Sequence, residues 1–363
     1  MKLYVYIVRR VLLLIPVIIG VTLITFYLSH LNIGLLITEY EGKIHTYAQR
    51  VIVMKELHLN GPVWTQYLYY LGAMFTGKWG FVSPGDVDPG VPVFTEFLKR
   101  FPPTAELALL ATLLILVMGL PLGVLSAVRK DRITDHATRL GAMAAVSIPS
   151  FWLGLLVLNF MLAPTVSFLP HWLVLYGNGQ LNWSVYGYWH GKIAPFVSPT
   201  GGLSQPTGFL LIDTLVYGDF PAFFNALWYV FWPSLVVALT TFGVIIRFMR
   251  SSMLENLGQD YVRTARSKGV PEQFVIKKHA RRNALGSSTT VMGLIFASLL
   301  SGVVVTEIVF SRPGMGTWLY QAAYNNDMVS VMATTFVFTV VIVVANLIVD
   351  ILYSYLDPRV RLE

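Results

Sequence analysis

Two stretches carry residue types at spacings that invite a chemical role. The first is GAMFTGKW, residues 72–79, with the G-x-x-x-x-G-K spacing of a phosphate-cradling loop. Such a loop follows a strand and places a Ser or Thr on magnesium directly after its lysine. Here Trp79 takes that place and no strand-like run precedes it, so no nucleotide site is expected. The second is RTARSKG, residues 263–269. Seven basic residues fall within 260–285: Arg263, Arg266, Lys268, Lys277, Lys278, Arg281 and Arg282. Thr264 and Ala265 are small enough to admit another backbone, and Gly269 permits a left-handed turn. Phe274, Val275 and Ile276 add apolar contact. Two readings follow: a basic loop held at anionic headgroups, or a helix that docks in a groove of a cytoplasmic partner.

Enzyme chemistry finds no anchor elsewhere. The chain has no cysteine, which removes disulfides, thiolate metal sites and cysteine nucleophiles. Its histidines form no H-E-x-x-H pair, so no metal site is expected, and no G-x-S-x-G elbow occurs. Glu307, Asn346 and Asp350 are polar residues within apolar runs. They are costly in lipid and should face protein or water. A lining of a translocation path or a gate is one reading. A structural pairing near a span end is the other, and it is favoured for Glu307 and Asp350 by their position.

The elements that carry these residues are membrane spans. The 363 residues are 55% hydrophobic and 12% charged, against about 25% charged in soluble domains. Apolar runs predict six transmembrane helices at 11–30, 104–128, 138–163, 228–249, 287–309 and 330–356, each near or above the ~20 residues that cross a bilayer core. Alternating strand patterns are absent, which favours helices over a barrel. The fold class expected is therefore all-α integral membrane. Val11–Leu28 is longer than a signal-peptide core and no A-x-A-like site follows, so it reads as a retained first helix.

With the N-terminus placed in the cytoplasm, the inner segments hold 18 of the 26 lysines and arginines although they are much the shorter. This positive-inside bias puts both termini in the cytoplasm. The predicted organisation is a cytoplasmic N-terminus and first helix over 1–30, an extracytoplasmic segment over 31–103, and a core of five helices over 104–363. The core has an outer loop at 164–227 and an inner loop at 250–286. KELHLNGPVWTQYLYYLGAMFTGKWG (55–80) reads as a short amphipathic helix stopped by glycine, and SPGDVDPGVP (83–92) as a turn-rich connector. RKDRITDH (129–136) reads as a simple polar loop. In the inner loop, SSMLENLGQDYVRTARSKG is helix-compatible up to Gly269, Val270–Pro271 turn the chain, and Pro271 opens a second helix. Trp172, Trp183, Tyr186, Tyr188 and Trp189 suit a membrane-interface belt, a protein contact or stacking on sugar. Asn182 begins an N-W-S glycosylation pattern.

DYVRTARSKGVPEQFVIKKHARRNAL (260–285) resembles the EAA loop of binding-protein-dependent ABC importer permeases, in its dipeptide/oligopeptide form. The matching positions are Asp260, Tyr261, Arg263, Thr264, Ala265, Arg266, Lys268, Gly269, His279, Ala280, Arg282, Asn283 and Ala284. Gly286 and Ser287 depart from the proline usual there. The resemblance covers nearly the whole chain. RRVLLLIPVIIGVTLITF, GLPLGVLSAV (119–128), SIPSFWLGLLVL (147–158), TGFLLIDTLVYGD (207–219) and NLIVDILYSYLDPRVR (346–361) fall in family order. VVTEIVFSRPGMGTWL is similar to the family's TExxFSxPGxG element, with Arg312 where an apolar or aromatic residue is common.

The resemblance implies a type I importer permease fold in the cell membrane of a bacterium or archaeon, without catalysis of its own. It implies a second homologous permease, two ABC ATPase subunits that bind ATP and Mg, and an extracytoplasmic substrate-binding protein as partners. No nucleic acid is implied. The EAA-type loop would then be a coupling helix seated in an ATPase cleft, moving with ATP-driven closure. Peptide import is the leading expectation and oligosaccharide import by the same machinery an alternative. A stand-alone channel or secondary transporter, or a lipid- or DNA-binding anchor, are readings of other classes.

Overall fold

The structure, a computed structural model, describes residues 3–30, 51, 54–55, 60–82, 90–162, 207–216, 218 and 220–356. Among the described residues, regular structure is helical, joined by turns and short extended links, with one isolated antiparallel bridge, Phe81 to Pro92. The outer aromatics of 172–189, the Asn182 pattern, most of the 83–92 connector and the last seven residues lie outside them.

In chain order the helices are α1 (Leu3–His30), α2 (Val63–Thr76), α3 (Val93–Val128), α4 (Ile133–Ser147), α5 (Ser150–Leu162), α6 (Leu210–Val216), α7 (Phe220–Leu257) and α8 (Asp260–Ser267). A short turn, Glu272–Phe274, and a π-helical turn, Val275–Ala280, lead into α9 (Arg281–Gly302). Then come α10 (Val304–Val309), α11 (Met315–Tyr324) and α12 (Met328–Leu356). Among the described residues, four helices are long and apolar enough to cross a membrane, or up to six if each of two bent pairs is one span.

The bent pairs correct two expectations. The span expected at 138–163 is broken: α4 and α5 meet at 97°. Pro149 lies in the break; it has no N–H and disfavours helical backbone at the residue before it, and Ile148 is accordingly extended, with φ −81° and ψ 123°. At 1.5 Å per residue α4 is about 22 Å long, short of a ~30 Å core. The span expected at 287–309 is also broken. Glu272–Gly286 and Val291–Leu300 are bent by 50°, and α9 ends at Gly302, so Glu307 falls on the separate helix α10. The other expected spans sit inside longer helices; α3 begins at Val93 and α7 continues to Leu257.

Close packing is made by small residues, the rule where helices meet without a hydrophobic drive. Gly119 and Gly123, four apart on α3, face α7: a Cβ at Gly123 would fall 2.7 Å from Met249 Cβ. A Cβ at Gly243 of α7 would stand 2.4 Å from the Ala142 carbonyl oxygen on α4. One core gathers Leu107, Ala111 and Ile115 of α3, Ala238 and Ile245 of α7 and Leu299 of α9. A second seats Met315 and Trp318 of α11 against Trp79, Phe336 and Val337. Residues 72–79 form the C-terminal end of α2, closed by Gly77 at φ +72°. A phosphate loop opens at a helix N-terminus, and Trp79 is buried with Nε1 donating to Met74 O at 2.9 Å.

Candidate functional site

The basic interval at 260–285 forms a helix, a turn and a helix. One helix was expected through Gly269, but α7 stops at Leu257. Gly258 follows, and Gln259 is extended at φ −73° and ψ 153° before α8 starts at Asp260. An acidic residue at a helix start suits the partial positive charge there, and Thr264 Oγ1 bonds back to the Asp260 carbonyl at 2.9 Å. Gly269 has φ +75°, the left-handed conformation that ends α8. Pro271, expected as the first helical residue, is instead the N-cap of a turn that starts at Glu272.

The residues of α8 divide between two faces. Val262 and Ala265 are buried against Val275, with Val270 packed on them. The small size of Ala265 therefore serves packing inside this chain, where close approach of an outside backbone was expected. Asp260, Tyr261, Arg263, Thr264, Lys268 and Gly269 lie on the exposed side, as do Arg282 and Asn283 of α9. Arg263 keeps 73% of its side chain exposed, 3.5 Å from Asp260 Oδ1. Tyr261 Oη donates to Asn256 Oδ1 at 2.7 Å, fastening α8 to the end of α7. His279 is half-buried with its ring edge toward Phe274, and Lys278 Nζ lies 4.9 Å from the centre of that ring.

Arg266 clamps the turn. Its Nε and Nη2 donate to Glu272 Oε2 at 3.0 Å and Oε1 at 2.6 Å, a fork across Gly269. These hydrogen bonds, with the charge behind them, hold the Glu272 carboxyl below the usual carboxylate range. The segment is a rigid knob with a basic outer face. It is fixed to α7 by Met249, Met253, Ala280 and Ala284, which pack together.

Of the residues considered for a translocation path, the described Glu307 and Asn346 share no hydrogen bond. Glu307 is fully buried, its carboxylate saturated by Thr104 Oγ1 at 2.6 Å, Gly316 N at 2.8 Å and Thr317 N at 3.0 Å. It caps the start of α11, enclosed by these donors. Asn346 on α12 has a buried Oδ1 without a hydrogen-bond partner; the side chain of Asp350 lies outside what the structure describes. Arg312 is 1% exposed and donates to Glu106 Oε2 and the Pro103 carbonyl, both at 3.1 Å. Glu106 in turn accepts from Leu211 N at 2.8 Å, tying α6 to α3.

Sequence reasoning missed Asp135. The loop at 129–136 read as simply polar, yet Asp135 is 0% exposed and takes a two-atom fork from Arg250. The only sequence hint is a pair of aspartates, Asp131 and Asp135, among several basic residues.

Residues 119–362 match the family described as binding-protein-dependent transport system inner membrane component. A probable D,D-dipeptide transport system permease protein of Escherichia coli (strain K12) is 38% identical over 347 residues, covering 96% of this chain and 94% of that protein. The dipeptide transport system permease protein of the same strain is 36% identical over 357 residues, 98% of each chain. An oligopeptide transport system permease protein of Bacillus subtilis (strain 168) is 34% identical over 357 residues, 98% of this chain and 99% of that one.

Proposed function

This chain belongs to the family of binding-protein-dependent transport system inner membrane components, and on that premise we propose that it is the permease subunit of an ATP-driven importer of short peptides. It crosses the cell membrane six times, with the α4–α5 pair and the bent Glu272–Leu300 stretch as broken spans and both termini in the cytoplasm. It pairs with a second, homologous permease. A substrate-binding protein delivers peptide from outside, and two ABC ATPase subunits bind ATP and Mg beneath. The observation that carries this reading is the basic knob of α8, built rigidly onto the end of α7 in a chain whose relatives are named as dipeptide and oligopeptide permeases. Arg263, Lys268, Tyr261, Arg282 and Asn283 are its contact surface for the ATPase; Gly269 and the Arg266–Glu272 fork hold its shape.

The names of the relatives weigh for peptides over oligosaccharides. A stand-alone channel finds little support, since the buried carboxylate of Glu307 is enclosed by its own donors. The test is co-expression with neighbouring genes, purification, and uptake into vesicles. Expected are a complex with two ATPase subunits and peptide uptake that requires ATP and the binding protein. Arg263→Glu is expected to weaken ATPase association while membrane insertion persists. Nucleotide-independent flux through the isolated chain would refute the assignment.

A further inference from the structure

Asp135 stands at the first turn of α4, fully buried, and collects four donors. Arg250 Nε and Nη2 reach Oδ1 and Oδ2, each at 2.8 Å. Ser126 Oγ, near the end of α3, donates to Oδ1 at 2.5 Å. The backbone N of Asp131, in the turn between α3 and α4, donates to Oδ2 at 3.0 Å. One carboxylate thus joins α3, the turn, α4 and α7. A buried ion pair of this kind survives only where further hydrogen bonds satisfy both partners, and Asp135 has them.

The position of Arg250 gives the pair its meaning. It lies about two helical turns before the end of α7 at Leu257, and α7 runs through Gly258 and Gln259 into α8. Next to the pair, α7 touches α3 and α4 at backbone distance through Gly123 and Gly243. Beyond the pair, α7 carries the α8 segment through Met249, Met253, Ala280 and Ala284. A force on α8 can reach α3 and α4 through this stretch of α7, alongside the direct packing of Ala280 and Ala284 on Ala127 of α3. Held by Asp135, that stretch cannot hinge away from them.

We propose that Asp135 and Arg250 are a positioning pair for transport, making α3, α4 and the α8 end of α7 move as one body so that displacement of the docking segment is delivered to the spans. The inference rests on the permease reading above. Rigid elements with discrete arrangements are what carry coupling between distant sites.

The experiment compares ATP hydrolysis with peptide uptake in the reconstituted complex of permeases, ATPases and binding protein. If the wild-type complex hydrolyses ATP without taking up peptide, the transport reading fails and takes this inference with it. If it transports, Arg250→Gln and Asp135→Asn are expected to keep binding-protein-stimulated hydrolysis within about twofold while uptake per ATP falls about tenfold, the scale of a lost coupling free energy. Arg250→Lys, which keeps the charge without the fork, is expected between wild type and Arg250→Gln. Unchanged uptake per ATP in Arg250→Gln, or hydrolysis and uptake falling in proportion, would overturn the pair's role.

A second arm does not depend on how those variants fold. The chain has no cysteine, and a Cβ at Gly119 would lie 3.5 Å from Ile245 Cβ, within disulfide reach. In Gly119→Cys with Ile245→Cys, oxidation locks α3 to α7 and is expected to leave uptake intact, because the two helices already move together. Uptake lost on oxidation and recovered with reductant would overturn the one-body inference while leaving the permease reading in place.

Discussion

An alanine Cβ at position 314 would stand 2.2 Å from Glu307 Oε1, 2.3 Å from its Cδ and 2.5 Å from its Oε2. Gly314 has φ −98° and ψ −176°, extended backbone that any residue adopts, so backbone strain contributes nothing. The clash is with a carboxylate that cannot step aside freely, since Thr104 Oγ1, Gly316 N and Thr317 N all point at it. A buried hydrogen bond to a charged group is worth about 1.5–3 kcal/mol; displacing Glu307 from two of the three predicts a loss of about 3–6 kcal/mol in Gly314→Ala. Glu307→Gln keeps the shape, and the Thr104 hydroxyl can turn to accept from the new amide. Its expected loss is about 1–3 kcal/mol. The assay is thermal unfolding of detergent-purified protein followed by tryptophan fluorescence, with Trp318 buried in α11 as a local reporter. The pairing is tested by a double-mutant cycle. Glu307→Asp draws the carboxylate back by one methylene, so Gly314→Ala in that background is expected to cost less than in the wild type. Wild-type unfolding of Gly314→Ala, or strict additivity in the cycle, would refute the contact as the reason for the glycine.

Arg312→Met leaves Glu106 buried without its cation and is expected to destabilise by about 3–5 kcal/mol, with much of the loss recovered when Glu106→Gln is added; yield of folded protein and thermal midpoint read both. Gly269→Ala meets no atom within 4 Å but must adopt φ +75°, so a cost of about 1 kcal/mol is expected from strain alone, seen as faster hydrogen exchange in α8. The Glu272 carboxyl is held below its ordinary value by Arg266. Its support of the turn is therefore complete above the unfolded carboxylate range and is lost as pH falls through the depressed folded value. Both partners are about half exposed, which keeps the effect below about 1 kcal/mol. Glu272→Gln should loosen exchange around Gly269 at neutral pH, the difference from wild type closing in acid.

Periodicity and apolar run length revealed the helices because a span must satisfy its backbone internally and be long enough to cross. They gave no warning of where spans break. Pro149 was visible in the sequence, yet its consequence was not, since proline also sits inside α1, α3 and α7 without a comparable break. The docking segment was legible because glycine and proline punctuate it and its charges stand out against apolar neighbours. The inward turn of Ala265 was hidden, since a small residue suits an inner or an outer contact equally. Asp135 was hidden for another reason: of the two aspartates in that polar loop, nothing in the sequence marks Asp135 as the one that an arginine 115 residues later will reach.

The buried acids show what connects these cases. Six are buried among the described residues: Glu96, Glu106, Asp135, Asp213, Glu307 and Asp327. In a chain this apolar, a buried carboxylate is tolerated only where donors surround it. Continuous helices offer few, having used their N–H groups on themselves; the first turn of each helix leaves its own unpaired. Five of the six accept a backbone N–H in the first turn of a helix or in the turn just before one: Leu211 on Glu106, Asp131 on Asp135, Thr207 and Gly208 on Asp213, Gly316 and Thr317 on Glu307, and Ser330 on Asp327. Glu96 is the exception, paired with Arg100 and Lys99 on its own helix. The acids thus mark breaks between helices, each fixing a corner that apolar packing alone would leave free to slide. Glu307 was weighed as a path residue because charge in an apolar run suggests function. Its donors show it to be a corner, and the same logic makes Asp135, at the corner nearest the docking segment, the acid whose loss should cost coupling as well as stability.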